Sequence, residues 1–539
     1  MSKKKEIERA ELHKTIWQIA NDLRGSIDGW DFKQYVLGIL FYRFISENLI
    51  SYINKNQHDA GDRAFDYLKL SDEIAEKARK QIVDEKGFFI LPSELFHNVT
   101  ENAANDENLN VNLEKVFKDI EKSANGTESE GNLKGLFDDM DVNSNKLGGT
   151  VIEKNTKLKK LLIAVRDLKL GKYDDNTIDA FGDAYEFLMT MYAANAGKSG
   201  GEFFTPQEVS DLLTRIALID FGAKTIDEKG NIHIPDKKRV EKVYDPACGS
   251  GSLLLKFAKI LGKDNVKLGF YGQEINLTTY NLARINMFLH DINFEKFDIG
   301  YGDTLKNPIH WDDKPFECIV SNPPYSIKWE GDANPLLIND ERFSPAGVLA
   351  PKSKADLAFV MHILSWLSSS GTAAIVEFPG ILYRGGAEQK IRKYLVENNF
   401  VDTVVQLPSD LFFGNTISTC VIVLRKNKTD NKIHFIDASK EFVRYDIKNK
   451  LSEDNINRIL ESVRYKKDVV YFSRLVSQDE VVKNEYNLTI NSYIDGENNK
   501  EVTNIKVLNE KIKDIVERAD VLRKEIDQIV LELEGDSNA

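Results

Sequence analysis

From Val240 onward, seven short runs rich in β-branched and aromatic residues follow one another: VEKVYD, KLGFYGQEI, FDIGYGD, FECIVSNPPY, TAAIVEFP, FVDTVVQLP and STCVIVLR. Most are separated by helix-length segments. Strands that alternate with helices predict a mostly parallel, doubly wound α/β sheet, because parallel neighbours need a crossover long enough to hold a helix. Ligands of such a sheet lie beyond the carboxyl ends of its strands. The last two runs are joined through LFFGNTI, too short for a crossover helix, and are expected to pair antiparallel.

The flanks read differently. From Glu6 to about Leu170 helical periodicity alternates with polar connectors. Leu12, Ile16, Ile19 and Leu23 form the single apolar stripe of a surface helix, whereas Tyr35 to Ile53 is apolar nearly all round and predicts a central helix. Asn102 to Asn110 and Ser123 to Gly131 are polar and expected to be exposed. In the tail, Leu508, Ile512, Ile515, Ala519, Leu522, Ile526, Ile529 and Leu533 step by 4, 3, 4, 3, 4, 3, 4, a heptad seam with charges between. It can fold onto its own domain or bind a partner helix, and the scarcity of apolar residues off the seam favours the partner. With 539 residues the chain accommodates about three units: a helical N-terminal domain (1–170), a catalytic domain (171–480) and a helical tail (481–539).

Composition excludes several classes. A chain 42% hydrophobic and 29% charged, with 13 prolines, is neither collagen-like nor disordered. The longest apolar stretch, Gln34 to Ile53, carries Arg43 and Glu47, so it reads as a buried helix and no membrane is expected. No secretory pattern follows the basic N-terminus, and a cytoplasmic location is expected. Cys248, Cys318 and Cys420 each lie in or beside a strand run and read as buried thiols. The eight histidines form no metal-ligand spacing, so no metal is expected. The formal charge of -13 means that any grip on DNA must come from a local patch or a partner.

Three motifs carry chemistry. Asp245-Pro246-Ala247-Cys248-Gly249-Ser250-Gly251 joins a strand to an apolar helix, and its glycines allow a ligand to approach the backbone closely. Asp245 closes the first strand, Glu274 the second, and Asp303 follows the third. An acid about 20 residues beyond the glycines suits a ribose, since a carboxylate accepts from both hydroxyls. Leu254 stands where a nicotinamide fingerprint would have its third glycine, which disfavours that cofactor. Ser321-Asn322-Pro323-Pro324-Tyr325 follows the fourth strand. Its prolines rigidify the turn, and the Asn322 side chain and Pro323 carbonyl are free to accept from an amino group. Such acceptors favour a pyramidal, attacking nitrogen, and Tyr325 can stack on the base that carries it. Upstream, Thr205 as N-cap, Pro206 at N1 and Glu208 at N3 predict a capping box, beside Phe203 and Phe204 and a glycine pair.

The order FFTP, DPACGSG, NPPY resembles the gamma group of amino-group DNA methyltransferases. The whole chain resembles the modification (M) subunit of a type I restriction-modification system, through LHKTIWQIANDLRGSIDGWDFKQYVLGILFYRFIS, SKADLAFVMHIL, FPGILYRGG and LFFGNTISTCVIVL. The resemblance implies an S-adenosylmethionine-dependent, Rossmann-like methyltransferase sheet that methylates adenine N6 in DNA. It implies cofactor contacts from Glu202, Phe203, Phe204, Thr205, Pro206, Gln207, Asp245, Gly249, Ser250, Gly251, Glu274 and Asp303, and catalytic roles for Asn322, Tyr325 and the Pro323 carbonyl. Phe412, with Phe413 as its rival, is the candidate second face for a flipped base. The implied partners are double-stranded DNA, a specificity (S) subunit shared by two M chains, and a restriction (R) subunit. DNA contacts of the chain's own are expected from the loop Ser326 to Ala355, with Lys328, Trp329, Arg342, Lys352 and Lys354. The alternatives are methylation of another amine (cytosine N4, an RNA guanine, a glutamine side chain) and a non-catalytic assembly subunit.

Overall fold

The structure, a computed structural model, describes residues 10–16, 29–168, 182, 184, 187–188, 205–412, 416–445, 448–496 and 505–535. They fall into two compact units, Met1–Ile494 and Asp495–Ala539.

In the first unit, α1 (Gly29–Asp59) runs through a helical region. One stretch of it, Gln34–Asp59, is long and apolar enough to cross a membrane, but 78% of its apolar window is buried inside the fold. Leu37, Ile39, Leu40 and Phe41 are shielded on all sides, which explains a helix without a polar face. The charged Arg43 in mid-run is also explained. The guanidinium pairs with Glu47 at 2.6 Å and donates to the carbonyls of Val165, Arg166 and Leu168, at the end of α2 (Val151–Arg166), where carbonyls have no N–H from a further helical turn. Residues 10–16 are helical with Leu12 and Ile16 buried, as the stripe predicts, while Ile19 and Leu23 lie outside the described residues. Half of the residues in the two polar connectors are exposed, and Ala103, Leu109, Asn110, Ala124 and Ser129 turn inward.

After α3 (Gln207–Ala217), nine strands form the main sheet: β1 (Val240–Asp245), β2 (Val266–Glu274), β3 (Phe297–Tyr301), β4 (Phe316–Ser321), β5 (Leu367–Glu377), β6 (Val401–Gln406), β7 (Cys420–Arg425), β8 (Lys432–Asp437) and β9 (Ser473–Ser477). Their order is β9-β8-β6-β7-β5-β4-β1-β2-β3. All seven sequence runs are strands, and β7 is antiparallel to both β5 and β6, as the short connection requires. The seven runs do not complete the sheet: β8 joins parallel to β6, and β9 closes the edge antiparallel to β8. These two strands carry His434, Ser473 and Arg474, whose polarity hides the alternation. The three cysteines are buried free thiols.

Helices α3, α4 (Ser252–Leu261) and α5 (Leu277–Leu289) contribute to one core cluster together with the helical region. Helix α6 (Asp356–Trp366) belongs to a second cluster, which shares the other set of strand side chains. Helix α7 (Glu453–Tyr465) packs against α3. The helical region is fastened to α5 by Arg284, whose buried guanidinium donates to the carbonyls of Gly131 and Lys134 and to Asn281 and lies 4.1 Å from the Tyr280 ring centroid. A buried cation without such partners would cost several kcal/mol.

The strand order places the switch point between β1 and β4. The chain leaves β1 for β2 and β3 on one side, then returns to β4 on the other, so the segments after β1 and β4 open into one crevice.

The second unit contains α8 (Ile505–Gly535). Among its described side chains, Leu508, Ile512, Ile515, Leu522, Ile526 and Ile529 are between 45% and 65% exposed.

Candidate active site

The turn after β1 is built by its own side chains. Asp245 Oδ1 accepts from the Ala247 N–H at 3.0 Å and from the Ser321 hydroxyl at 2.8 Å, which ties the ends of β1 and β4 together. Gly249 and Gly251 take left-handed φ values of 53° and 77°, where a side chain would be strained, and α4 starts immediately after. Glu274, at the end of β2, reaches across: Oε2 accepts from Gly249 N–H at 3.0 Å and Oε1 from Asn276 N–H at 2.8 Å. These two bonds use half of its lone pairs and leave the others available. Burial raises the Glu274 carboxyl above the ordinary range against these N–H bonds. Asp245 is fully buried, and burial, reinforced by Glu274, pushes it up to about 7. Its Oδ2 has no partner. Ser250 is buried with its carbonyl held by Asn286, and Asp303 spends Oδ1 on the N–H groups of Leu305 and Lys306.

The turn after β4 holds Asn322 between two hydroxyls. Asn322 Nδ2 donates to Thr205 Oγ1 at 3.1 Å, and the Tyr325 phenol donates to Asn322 Oδ1 at 2.5 Å. The amide orientation is thereby fixed, and Oδ1 keeps a second lone pair for another donor. Burial lifts the Tyr325 phenol well above its usual range, so it stays a donor. Ser326 N–H is held by Asp356 Oδ1 at 3.0 Å, which anchors the exit of the turn to the first residue of α6.

The Thr205–Asn322 bond corrects the capping box. Helix α3 starts at Gln207 with Pro206 as N-cap and no side-chain cap. The Thr205 hydroxyl is engaged by the Asn322 amide, so it does not serve as the cap. Gln207 Nε2 is buried without a partner. Glu202, Phe203, Phe204 and Phe413 lie outside the described residues. Phe412 is 2% exposed in the core, with its carbonyl accepting from Lys448 Nζ.

Sequence reasoning missed a fourth acid at a strand end. Glu377 closes β5 level with the NPPY turn, since Ser321 pairs with Ile375 two residues earlier. It is fully buried, neither carboxyl oxygen has a partner, and burial, with Asp356 adding, raises it well above the ordinary range. A lone Glu at the end of an apolar run, before Phe378, offers no pattern by which to find it.

The loop after the turn also departs from expectation. Arg342 is buried: it pairs with Asp340 at 2.8 Å and donates to the carbonyls of Thr304 and Leu305. Those bonds staple the loop, and the guanidinium is not available to a phosphate. Trp329 donates to the Pro351 carbonyl and packs on Phe343, while Lys328 and Lys352 remain exposed. Among the described residues, Asp298, His310 and Asp313 bring possible metal-ligating atoms together, near the start of β3 rather than at its carboxyl end. His310 Nε2 is spent on the Gly272 carbonyl at 2.8 Å.

Comparison with known proteins agrees with this architecture. Residues 176–502 match the N-6 DNA methylase family and residues 12–165 the HsdM N-terminal domain. The chain is 48% identical to the type I restriction enzyme MpnII methylase subunit of Mycoplasma pneumoniae, over 99% of this chain and 98% of that protein. It is 28% identical to the MjaVII methylase subunit of Methanocaldococcus jannaschii, over 97% and 84%. The crystal structure of a type I restriction-modification methyltransferase subunit from Streptococcus thermophilus superposes with a TM-score of 0.79 at 34% identity, covering 90% of this chain and all of that one.

Proposed function

Because the chain belongs to the N-6 DNA methylase family, as the methylase (M) subunit of a type I restriction-modification system, we propose that the crevice beyond β1 and β4 holds S-adenosylmethionine beside a flipped adenine. The protein is an adenine-N6 DNA methyltransferase and works within a type I restriction-modification assembly. The observation that carries the site assignment is Asn322, clamped by the Thr205 and Tyr325 hydroxyls one hydrogen bond from the glycine turn.

The crevice suits the cofactor. The glycine turn offers close approach, Glu274 keeps lone pairs for two ribose hydroxyls, and the partnerless Asp245 Oδ2 and Gln207 Nε2 are buried polar atoms of the kind that require a ligand or water. Thr205, Pro206, Gln207, Asp245, Gly249, Ser250, Gly251, Glu274 and Asp303 would hold it, together with the segment Glu202 to Phe204. When bound, it supplies an activated methyl group. Asn322 Oδ1 and the Pro323 carbonyl accept the two amino hydrogens of the adenine, which directs the nitrogen lone pair outward, and Tyr325 supports the base. Phe412 or its neighbour Phe413 closes the other face. Extrusion of the base costs a few kcal/mol, repaid in the pocket.

The division into a helical domain to residue 170, a catalytic domain to 480 and a partner-binding tail fits this role. A specificity subunit would read the sequence and join two such chains on one bipartite site, with the restriction subunit added in the full complex, and the site of action is the cytoplasm.

The cofactor placement is tested by titration. Glu274→Ala is expected to weaken S-adenosylmethionine binding by about 1.5–3 kcal/mol, the range for hydrogen bonds to a charged group. Unchanged affinity by calorimetry would move the ribose partner elsewhere.

A further inference from the structure

On the carboxyl side of the sheet, strands Val443–Tyr445 and Lys448–Lys450 pair as a small antiparallel hairpin that neither the sequence motifs nor the catalytic turn accounts for. Its base is firmly held. Asn449 donates its N–H to the Asp410 carbonyl at 3.2 Å and its Nδ2 to the Ser409 carbonyl at 2.9 Å, and Lys448 Nζ donates to the Phe412 carbonyl. The hairpin therefore rides on the loop that follows β6, at the edge of the sheet where β1 and β4 also end. Leu451 is buried directly after it, and Ser452 caps α7 with a reciprocal capping box.

Its outer surface is unusual for a chain with 85 acidic and 72 basic side chains. The segment 440–450 carries Lys440, Arg444, Lys448 and Lys450 against Glu441 and Asp446; Arg444 pairs with Asp410 at 3.7 Å and with Asn449, and Lys448 is held by the Phe412 carbonyl. Glu441 is turned inward, where it holds Arg458 at 2.7 Å and Asn455 at 3.0 Å. Aromatic and apolar side chains are interleaved with the cations and left in solvent: Tyr445 is 71% exposed, Val443 46% and Phe442 39%. Lys450 Nζ lies 5.6 Å from the Tyr445 ring centroid. It also stands close enough to Glu208, three residues from Thr205, to pull that acid down against its burial.

We propose that this hairpin is a DNA-binding arm, which lays its cations along the phosphates beside the target adenine and places Tyr445 against a base at the disrupted step. The inference rests on the adenine-methyltransferase reading of the crevice. Two observations select DNA as the occupant. Cations interleaved with exposed aromatic rings match a polyanion whose bases present π faces, and the arm is anchored on the carbonyls of Ser409 and Asp410 after β6, on the side of the sheet where β1 and β4 also end. An acidic chain needs such a local patch to approach DNA at all. The anchored base also lowers the ordering cost of engagement.

The test uses the assembled complex containing the full-length chain, with an adenine duplex that the wild-type complex methylates and, for the flipping fluorescence alone, the same duplex with 2-aminopurine in place of the target adenine. Tyr445→Ala is expected to weaken duplex binding about tenfold, within the range for loss of one stacked base, and to reduce the fluorescence rise that accompanies flipping. Lys450→Ala is expected to lower the slope of log affinity against log salt by about 1, the signature of one lost phosphate contact. Both variants should bind S-adenosylmethionine as the wild type does. Wild-type affinity and salt slope in both variants would overturn the proposal, and so would loss of complex assembly with unaltered DNA binding, which would assign the arm to a protein partner. A wild-type complex that failed to methylate the adenine duplex would instead count against the reading of the crevice.

Discussion

Asn322→Ala is expected to reduce methyl transfer by on the order of 10²-fold or more while S-adenosylmethionine affinity stays near wild type, since one lost transition-state acceptor is worth that much in a preorganised site. The separation of the two effects follows from the hydrogen bonds. Asn322 binds Thr205 and Tyr325 and makes no hydrogen bond to Asp245, Gly249 or Glu274, so its removal leaves the glycine turn and its acids as they are. Loss of the amide frees the Tyr325 phenol and the Thr205 hydroxyl as well, so the adenine loses both an acceptor and the group that orients it. Single-turnover methylation beside calorimetry on the same preparation measures both quantities. Full activity in a folded variant would remove Asn322 from the reaction.

Truncation after Thr503 is expected to leave a folded, cofactor-binding catalytic unit and to abolish sequence-directed methylation. The unit that ends at Ile494 contains β9 and the packing of Val481, Leu488 and Ile490 beyond it, so the cut falls outside its core. What is removed is a helix whose described seam residues are about half exposed, an apolar stripe of the kind that marks an interaction surface. If that stripe binds the specificity subunit, the truncated chain fails to co-purify with it and has no reader for its target. Undiminished complex formation would show that the tail packs elsewhere.

Much of the fold was legible because strand runs and helix stripes carry their own periodicity. FECIVS and CVIVLR are apolar enough to read as strands, and the LFFGNTI connection was too short for anything but an antiparallel neighbour. Strands β8 and β9 were not legible, since KIHFID and SRLVS mix buried polar residues with edge positions. The catalytic motifs were visible through residue types that few other structures need together: two glycines, three strand-end acids and an NPPY turn. Their mutual bonds were not. Thr205 looked like a cap because Thr-Pro-x-Glu satisfies the local rule, and only the approach of Asn322 from 117 residues away reassigns its hydroxyl. Arg342 looked like a phosphate ligand because it sits in a polar loop, whereas burial beside Asp340 can be seen only in three dimensions. The Val443–Lys450 hairpin was passed over for the same reason, since KEFVRYDIKNK acquires meaning from its place at the carboxyl edge.

The most direct measurement is genome-wide mapping of methylated bases in cells that carry this chain, cells that lack it, and cells carrying Asn322→Ala. The account predicts N6-methyladenine at one recurrent bipartite sequence in the first, and its disappearance from the other two. Persistence of those adenines without the chain, or loss of N4-methylcytosine in their place, would contradict it.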